Sequence, residues 1–247
     1  MVTARALGGL PEIDAGTDLG ALIAGAAPGD GDVVVVAHKA VSKAEGRVRR
    51  LTDVTPSARA VELAGAHDKD PRHVQVVLDE TAELLRAERG VLICVTHHGF
   101  VCANAGVDAS NAPDSETLIL LPVDPDASAR ALRARLRELT GASPAVVITD
   151  SFGRAWRHGQ TDVAIGVAGI APLEDWRGRT DSVGRELRAT WVAVADQLAA
   201  VADLSRSKDS RQPAVIVSGL DHHILPAADD GPGAAALLRP ANEDLFR

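Results

Sequence analysis

The sequence predicts an α+β fold with mixed, largely antiparallel sheets and helices packed against them. Short apolar runs rich in Val and Ile have the composition of buried strands, and helix start signals lie between them. The apolar runs in residues 91–103 follow each other too closely for a crossover helix, so they are expected to form a hairpin. A doubly wound parallel sheet of the Rossmann type is therefore not expected.

Each strand is predicted from one apolar run. The first covers residues 33–36 and leads directly into the polar sequence HKAVSK. The remaining strands are predicted at residues 91–96, 100–103, 117–121, 145–149, 162–168 and 214–218. Cys94 and Cys102 fall on the two strands of the expected hairpin, where two buried, reduced thiols are favoured over a disulfide.

Three helices are predicted to begin where a cap residue precedes a proline. The cap oxygen accepts a hydrogen bond from a free backbone N–H, and proline has no N–H to leave unpaired at the first helical position. These pairs are Thr55-Pro56, Asp70-Pro71 and Asp124-Pro125. A fourth helix is predicted near the C-terminus from the helical spacing of Trp191, Val194, Leu198 and Val201.

The composition argues against nucleic-acid and membrane functions. The chain has 247 residues and a formal net charge of -8, with 2% aromatic residues and no Tyr. A basic surface for phosphate backbones and an aromatic platform for bases are therefore not expected. No apolar run approaches the roughly 20 residues of a membrane span, and the N-terminus lacks the pattern of a signal peptide. A cytoplasmic location is expected.

Two polar clusters interrupt apolar stretches and carry the candidate chemistry. They read NAGVDASN at residues 104–111 and TDSFGRAWRHGQTD at residues 149–162. Asp108, Asn111, Asp150 and Ser151 offer the hard oxygen ligands that Mg²⁺ prefers, although Asp and Asn are also common in turns. Spacing alone does not bring the two clusters together. They predict a metal-dependent enzyme that acts on phosphates.

Basic residues near both clusters are candidate phosphate ligands. Lys39, Lys43 and Arg47 follow the first strand, and a solvated basic face is an equally good interpretation of them. A second basic and flexible patch is expected at residues 153–159. The adjacent histidine pairs at residues 97–98 and 222–223 do not have the spacing of a zinc site, so turn or surface positions are expected for them. A Walker A loop is missing, so a P-loop fold is not expected.

Several motifs in the same order resemble the coenzyme F-420-0:L-glutamate ligase family, also called gamma-glutamyl ligases. They are GLPEI at residues 9–13, SKAEGR at 42–47, NAGVDASN, LLPVDPDASA at 120–129, TDSFGRAWRHGQTDVAIGVAG at 149–169 and GREL at 184–187. The resemblance implies a ligase domain over residues 1–220, with an α+β fold unlike the ATP-grasp ligases. Residues 221–247 are expected to extend the same domain, with a loose excursion at residues 227–238.

The resemblance also implies the activity and its cofactors. Members add L-glutamate through its amine to F-420-0 at the expense of GTP, use Mg²⁺ or Mn²⁺ with help from K⁺, and form homodimers. GTP would convert the acceptor carboxylate into an acyl phosphate. The sequence LLRPANEDLF at residues 237–246 resembles the segment that precedes a nitroreductase-like flavin domain in two-domain actinobacterial members. A separate flavin protein of that kind is therefore an expected partner.

The resemblance assigns site residues by motif position. Asp108, Asp150 and Ser151 correspond to metal ligands, and Lys43 and Asp150 are the expected catalytic residues. The expected GTP-binding residues are Leu10, Pro11, Glu12, Ile13, His38, Lys43, Asn111 and Lys208. This chain departs from the family pattern at two places. His38 stands where relatives often have Ser or Gln, and the loop at residues 205–212 lacks the usual glycine, which could weaken GTP binding or alter nucleotide choice.

Two alternatives remain open at the level of sequence. The first is a ligase of the same fold that joins an amino acid to another carboxylate, which the altered loop motivates. The second is a non-catalytic nucleotide-binding partner, against which the intact set of Asp108, Asp150 and Ser151 argues.

Overall fold

A computed structural model describes residues 1–244. Its strands are β1 (Thr3–Ala6), β2 (Val33–Ala37), β3 (Val48–Arg50), β4 (Thr81–Glu88), β5 (Val91–Thr96), β6 (Val101–Ala103), β7 (Thr117–Ile119), β8 (Ala145–Arg154), β9 (Arg157–Ala168), β10 (Glu174–Asp175), β11 (Trp191–Val192) and β12 (Ala214–Ser218). Its helices are α1 (Leu19–Ala24), α2 (His38–Ala44), α3 (Ala58–His67), α4 (Pro71–Asp79), α5 (Pro125–Thr140) and α6 (Val194–Ser205).

The central sheet is mixed, as predicted. Its five strands lie in the order β1-β12-β2-β8-β9, and only the β2–β8 pair is parallel. An antiparallel three-stranded sheet, β4-β5-β6, and two antiparallel two-stranded sheets, β3-β7 and β10-β11, complete the strands. The α+β prediction with largely antiparallel pairing is confirmed.

Apolar residues on both faces of the central sheet explain its position in the core. Val34 and Val36 of β2 pack with α1, α2 and α5, whereas Val33 and Val35 face α6 on the other side. This burial of both faces is why the strand is a continuous apolar run in the sequence. A separate core joins α3 and α4 to the three-stranded sheet.

The hairpin and the cysteines are confirmed. Cys94 and Cys102 are directly opposite each other on β5 and β6, and both are buried free thiols. Burial, followed by the negative charge of Asp150, raises the pKa of the Cys102 thiol to about 12. A thiol in this state is a poor nucleophile, so Cys102 acts as a small buried side chain.

Two of the three predicted helix starts are confirmed. The side chains of Asp70 and Asp124 accept the N–H groups of Arg72 and Ala127 at 2.8 Å. The start at Thr55-Pro56 is wrong, because the hydroxyl of Ser57 caps the helix instead.

The fourth predicted helix exists, but it begins after Trp191. That residue pairs with Asp175 in the two-stranded sheet, and α6 starts at Val194. The Arg177 guanidinium lies 4.4 Å from the centre of the Trp191 ring. Helical spacing therefore extended the predicted helix one turn too far.

The polar cluster after residue 149 is part of a hairpin. β8 continues to Arg154, β9 begins at Arg157, and the two strands pair along this whole length. The guanidinium of Arg154 donates to the carbonyl of His158 at 2.8 Å. The predicted flexible patch at residues 153–159 is therefore a hydrogen-bonded hairpin end, because backbone pairing between strands continues beyond their apolar residues.

The expected loose excursion at residues 227–238 is also wrong. Arg133 of α5, whose side chain is 3% exposed, donates to the carbonyl of Asp229 at 2.8 Å and to the carboxylate of Asp230 at 2.7 Å. Ala234 is buried, and its N–H donates to Asp126 at 2.8 Å. These contacts come from a distant helix, which composition alone does not reveal. Residues 245–247 of the predicted extension lie outside the described residues.

Candidate functional site

The site is built around α2, which begins immediately after β2 ends. Ala37 at the end of β2 is the register partner of Thr149 in the parallel strand β8. The carboxyl ends of both strands therefore meet at one edge of the sheet, which is the usual ligand position in sheets of this kind. His38, the first residue of α2, and Asp150, the residue after Thr149, lie side by side at this edge.

Asp150 is held between the imidazole of His38 and the backbone. Its Oδ1 lies 3.1 Å from His38 Nε2 and accepts the N–H of Ser151 at 2.8 Å. The imidazole is 2% exposed, and although the two atoms are close, Nε2 lacks the alignment of a hydrogen bond with any group described. The structure therefore brings two predicted site residues together and leaves a buried nitrogen of His38 unsatisfied beside a carboxylate.

Asp108 is bound by the next residue of the same helix. Lys39 Nζ donates to Asp108 Oδ2 at 2.6 Å and to Ser110 Oγ at 2.5 Å, while the N–H of Ser110 donates to Asp108 Oδ1 at 2.7 Å. Burial raises the pKa of Asp108, but the hydrogen bonds and the charge of Lys39 outweigh it and lower the pKa overall. This carboxylate therefore stays ionised at neutral pH. Because His38 and Lys39 are neighbours, Asp108 and Asp150 lie around the same end of α2.

The first predicted nucleotide segment reaches α2 through Lys43. Its Nζ donates to Glu12 Oε1 at 2.6 Å, and the Lys43 side chain is 12% exposed. Ile13 is buried in the core and Leu10 packs against it, which leaves Pro11 and Glu12 exposed beside the helix. The structure thus brings residues 10–13 to the helix that also contacts Asp108 and Asp150.

Asn111 lies in the turn that follows Asp108. It is exposed and has a φ of 58°, a left-handed conformation that Asn tolerates well. The alternative of turn chemistry is therefore realised at this residue, and its predicted contact with GTP stays a prediction.

Ser151 lies on the other face of β8 in a network that sequence analysis missed. Its hydroxyl donates to Asp162 Oδ1 at 2.6 Å and accepts from Lys208 Nζ at 2.6 Å. Thr149 Oγ1 donates to Asp162 Oδ2 at 3.0 Å, and Arg206 donates to the same oxygen at 2.8 Å. Strand register is the signal that could have found Asp162, because Asp162 is the direct partner of Ser151 across the hairpin.

The loop at residues 205–212 reaches this network although it lacks glycine. Arg206 also donates to the carbonyl of Pro213 at 2.8 Å, which fastens the loop at both ends. Arg211 has a φ of 53°, in the left-handed region that glycine adopts without strain. The loop therefore keeps a conformation that favours glycine and delivers the cations of Arg206 and Lys208 to Ser151 and Asp162.

A cavity of about 470 Å³ borders Asp162 on the side away from α2. Arg154, Trp191 and Asp196 are among the residues that line it. Burial raises the pKa of Asp196, against a hydrogen bond from the N–H of Ala164 that lowers it. The cavity lies beside the edge strand β9, apart from the contacts of Asp108 and Asp150.

Among residues 1–244, no three His, Cys, Asp or Glu side chains gather in a group able to hold a metal ion. The predicted donor set of Asp108, Asp150 and Ser151 has two carboxylates and one hydroxyl. The side chains of Asp150 and Ser151 start on opposite faces of β8.

Within residues 1–244, no helix is long and apolar enough to cross a membrane.

Comparison with known proteins identifies the family. Residues 9–219 match the family described as F420-0:Gamma-glutamyl ligase. The chain is 43% identical over 246 residues to the coenzyme F420:L-glutamate ligase of Methanothermobacter thermautotrophicus, covering 97% of this chain and 96% of the relative. It is 44% identical to the protein of the same name from Methanopyrus kandleri, over 98% of this chain and 100% of that one. The corresponding Archaeoglobus fulgidus protein is 44% identical, over 97% and 94%. This chain therefore belongs to the F420-0:gamma-glutamyl ligase family.

Proposed function

We propose that this protein is a ligase that joins L-glutamate to F-420-0 through a new C–N bond, with GTP as cosubstrate. Relatives that match nearly the whole chain carry the name coenzyme F420:L-glutamate ligase. The observation that carries the GTP proposal is that three carboxylates from separate segments, those of Glu12, Asp108 and Asp150, converge on α2, which itself carries Lys39 and Lys43. Cations beside carboxylates suit phosphoryl transfer, which needs charge stabilisation and positioning.

GTP is proposed to bind along α2 and the segment at residues 10–13. Lys43 and Lys39 are the cations near this surface, and each is already held by a carboxylate at 2.6 Å. Phosphate oxygens can replace Glu12 and Asp108 as acceptors for these ammonium groups. His38, Asn111 and Lys208 are proposed as further contacts of the nucleotide.

A divalent cation, Mg²⁺ or Mn²⁺, is proposed at Asp108, Asp150 and Ser151. The donor types suit a hard ion, because Asp108 stays ionised and the Ser151 hydroxyl already accepts from a cation. Two carboxylates and few other protein ligands are usual where substrate phosphates and water complete the shell. When bound, the metal would neutralise charge on the transferring phosphoryl group.

In the proposed reaction, a carboxylate oxygen of F-420-0 attacks the γ-phosphorus of GTP, the bond to the β-phosphate oxygen breaks, and GDP leaves. The acyl phosphate that forms has a good leaving group. The amine of L-glutamate attacks its carbonyl carbon, the C–O bond to phosphate breaks, inorganic phosphate leaves, and the nitrogen loses a proton to water. Lys43 would bind phosphate oxygens throughout, and Asp150, whose carboxylate is fixed by the N–H of Ser151, would hold the divalent cation.

The remaining features of the proposal rest on family membership. They are assistance by K⁺, a homodimer and cooperation with a separate nitroreductase-like flavin protein. A cytoplasmic location is proposed from the sequence expectation alone. Each is open to direct measurement, starting with the mass of the protein in solution.

Incubation of the purified chain with F-420-0, L-glutamate, GTP and Mn²⁺, followed by mass spectrometry, tests the proposal. Product with one or more added glutamyl units, lost when GTP or metal is omitted, is expected. ATP in place of GTP tests nucleotide choice, and other carboxylates in place of F-420-0 test the alternative of a different acceptor. Nucleotide binding without any ligation would favour the non-catalytic alternative.

A further inference from the structure

Asp162 is a buried carboxylate that contacts Ser151, one of the proposed metal ligands. Its side chain is 5% exposed and accepts hydrogen bonds from Thr149, Ser151 and Arg206 at 2.6 to 3.0 Å. None of the roles assigned above uses it. Four polar groups rarely converge in a protein interior unless each is satisfied, and here each has a partner.

The direction of the hydrogen bonds fixes the polarity of the Ser151 hydroxyl. A serine has one proton to donate and two lone pairs to accept with. An ionised carboxylate can only accept, so the single proton of Ser151 goes to Asp162 at 2.6 Å. The outward side of Ser151 Oγ then carries only lone pairs, and it accepts the ammonium of Lys208 at 2.6 Å. A hydroxyl held in this way receives a cation and cannot donate to a phosphate oxygen.

Arg206 pairs with Asp162 and connects it to the loop. The guanidinium lies 2.8 Å from Asp162 Oδ2, and its side chain is 9% exposed. The same side chain donates to the carbonyl of Pro213 and to Thr149 Oγ1. One residue of the loop at 205–212 thereby fixes both the carboxylate and the segment that carries Lys208.

We propose that Asp162, supported by Arg206, is a positioning residue that orients the Ser151 hydroxyl as a pure acceptor for a cation. The proposal rests on the proposed function, because it assigns the acceptor side of Ser151 to the divalent metal of that site. Lys208 holds the same lone pairs, so Lys208 and the metal compete for Ser151.

Asp162→Asn tests the proposal because it exchanges an acceptor for a donor. If the amide oxygen stays on Arg206, the amide NH₂ faces Ser151 and donates to it. The hydroxyl proton then turns outward, where it opposes a cation. We expect the Mn²⁺ affinity, measured by electron paramagnetic resonance of free Mn²⁺ in the presence of GTP, to fall about 10-fold to 100-fold.

A double-mutant cycle with Ser151→Ala separates positioning from a general structural effect. Without the hydroxyl, Asp162→Asn has nothing to reorient, so its effect on Mn²⁺ affinity should shrink to about twofold or less. An equal loss in both backgrounds would overturn the proposal. If Asp162→Asn does not fold, Arg206→Lys takes its place, because Lys keeps the charge but has one nitrogen where Arg206 uses two to bind Asp162 and Pro213. The same non-additivity is expected.

Asp230→Asn is the matched control, since Asp230 pairs with the buried Arg133 at 2.7 Å far from Ser151. Its Mn²⁺ affinity should stay within about twofold of the parent. The glutamylation assay on the same proteins distinguishes a failure of the proposed function from a failure of the role assigned to Asp162. A non-additive cycle without any product would overturn the proposed function and leave the role of Asp162 intact. Product formation with an additive cycle would support the proposed function and overturn the role of Asp162.

Discussion

The Arg206–Asp162 pair is expected to be the ion pair on which stability depends most strongly. Both side chains are at least nine-tenths buried, and they lie 2.8 Å apart. Arg206→Met removes the cation and keeps much of the apolar stem. It leaves the Asp162 carboxylate buried and without a counter-charge, and it removes one of the two donors to the carbonyl of Pro213, which keeps the N–H of Ala37 at 2.8 Å.

The expected loss follows from these contacts. Removing one partner of a buried ion pair costs about 3 to 5 kcal/mol. The hydroxyls of Thr149 and Ser151 still donate to Asp162, so the lower end, about 3 kcal/mol, is expected. For a chain of this size that corresponds to a fall in Tm of about 6 to 12 °C.

Thermal unfolding followed by circular dichroism at neutral pH measures this loss. Arg188→Met is the control, because Arg188 is 84% exposed and lies 3.7 Å from Glu186. Its Tm should change by about 2 °C at most. Adding Asp162→Asn to Arg206→Met should recover part of the loss, since it removes the unpaired charge. A Tm for Arg206→Met within 2 °C of the parent would refute the reasoning.

Three further predictions address activity, packing and pH. Asp150→Ala should lower glutamylation by at least about 100-fold in the mass-spectrometric assay while the protein stays folded, because it removes a proposed metal ligand; unchanged activity would exclude that role. Gly166→Ala should destabilise by about 1 to 3 kcal/mol in urea unfolding, because its Cβ would lie 2.3 Å from the carbonyl oxygen of Pro125. Gly65→Ala, with open space around it inside a helix, should stabilise the protein by up to about 1 kcal/mol. Equal changes in the free energy of unfolding for the two variants would contradict the close approach of Pro125 to Gly166. Burial raises the pKa of Asp196, so folding favours its protonated form. Stability therefore falls as the pH rises from the ordinary pKa of an Asp to the raised pKa of Asp196. Asp196→Asn should therefore have a higher Tm than the parent at pH 7, and the difference should vanish as the pH falls below about 4; a difference that grows in acid would show the opposite sign.

The sequence predicted the apolar strands well, because burial of one face or of both faces gives each of them a short apolar run. The strands at residues 91–96 and 214–218 match β5 and β12 at both ends. The runs at residues 145–149 and 162–168 found only the buried halves of β8 and β9. Beyond those halves the pairing depends on backbone hydrogen bonds, which leave no apolar pattern.

Short elements with mixed exposure were missed, because they also leave no clear apolar pattern in the sequence. β1, β3 and β4 alternate or lie exposed, and α1 and α2 are six and seven residues long, too short for a clear helical period. The omission of α2 mattered most, because this helix brings the predicted site residues together. Its lysines were predicted to leave the strand, but the helical turn is what directs Lys39 to Asp108 and Lys43 to Glu12.

Motifs named candidate site residues but not the partners that hold them in space. Asp108, Asp150, Ser151 and Lys43 came from motifs, and the structure places them around α2 and β8. Arg206 and Asp162 required the register of the hairpin and the path of a loop from the far end of the chain. Contacts between residues 44 positions apart depend on tertiary packing, which no local pattern encodes.

The most direct test of the proposed function is mass spectrometry of F-420-0 after incubation with the purified chain, L-glutamate, GTP and Mn²⁺. We expect a mass increase of one or more glutamyl units, which disappears when GTP or Mn²⁺ is left out and in the Asp150→Ala variant. Unmodified F-420-0 from a folded protein that binds GTP and Mn²⁺ would contradict the assignment of this acceptor.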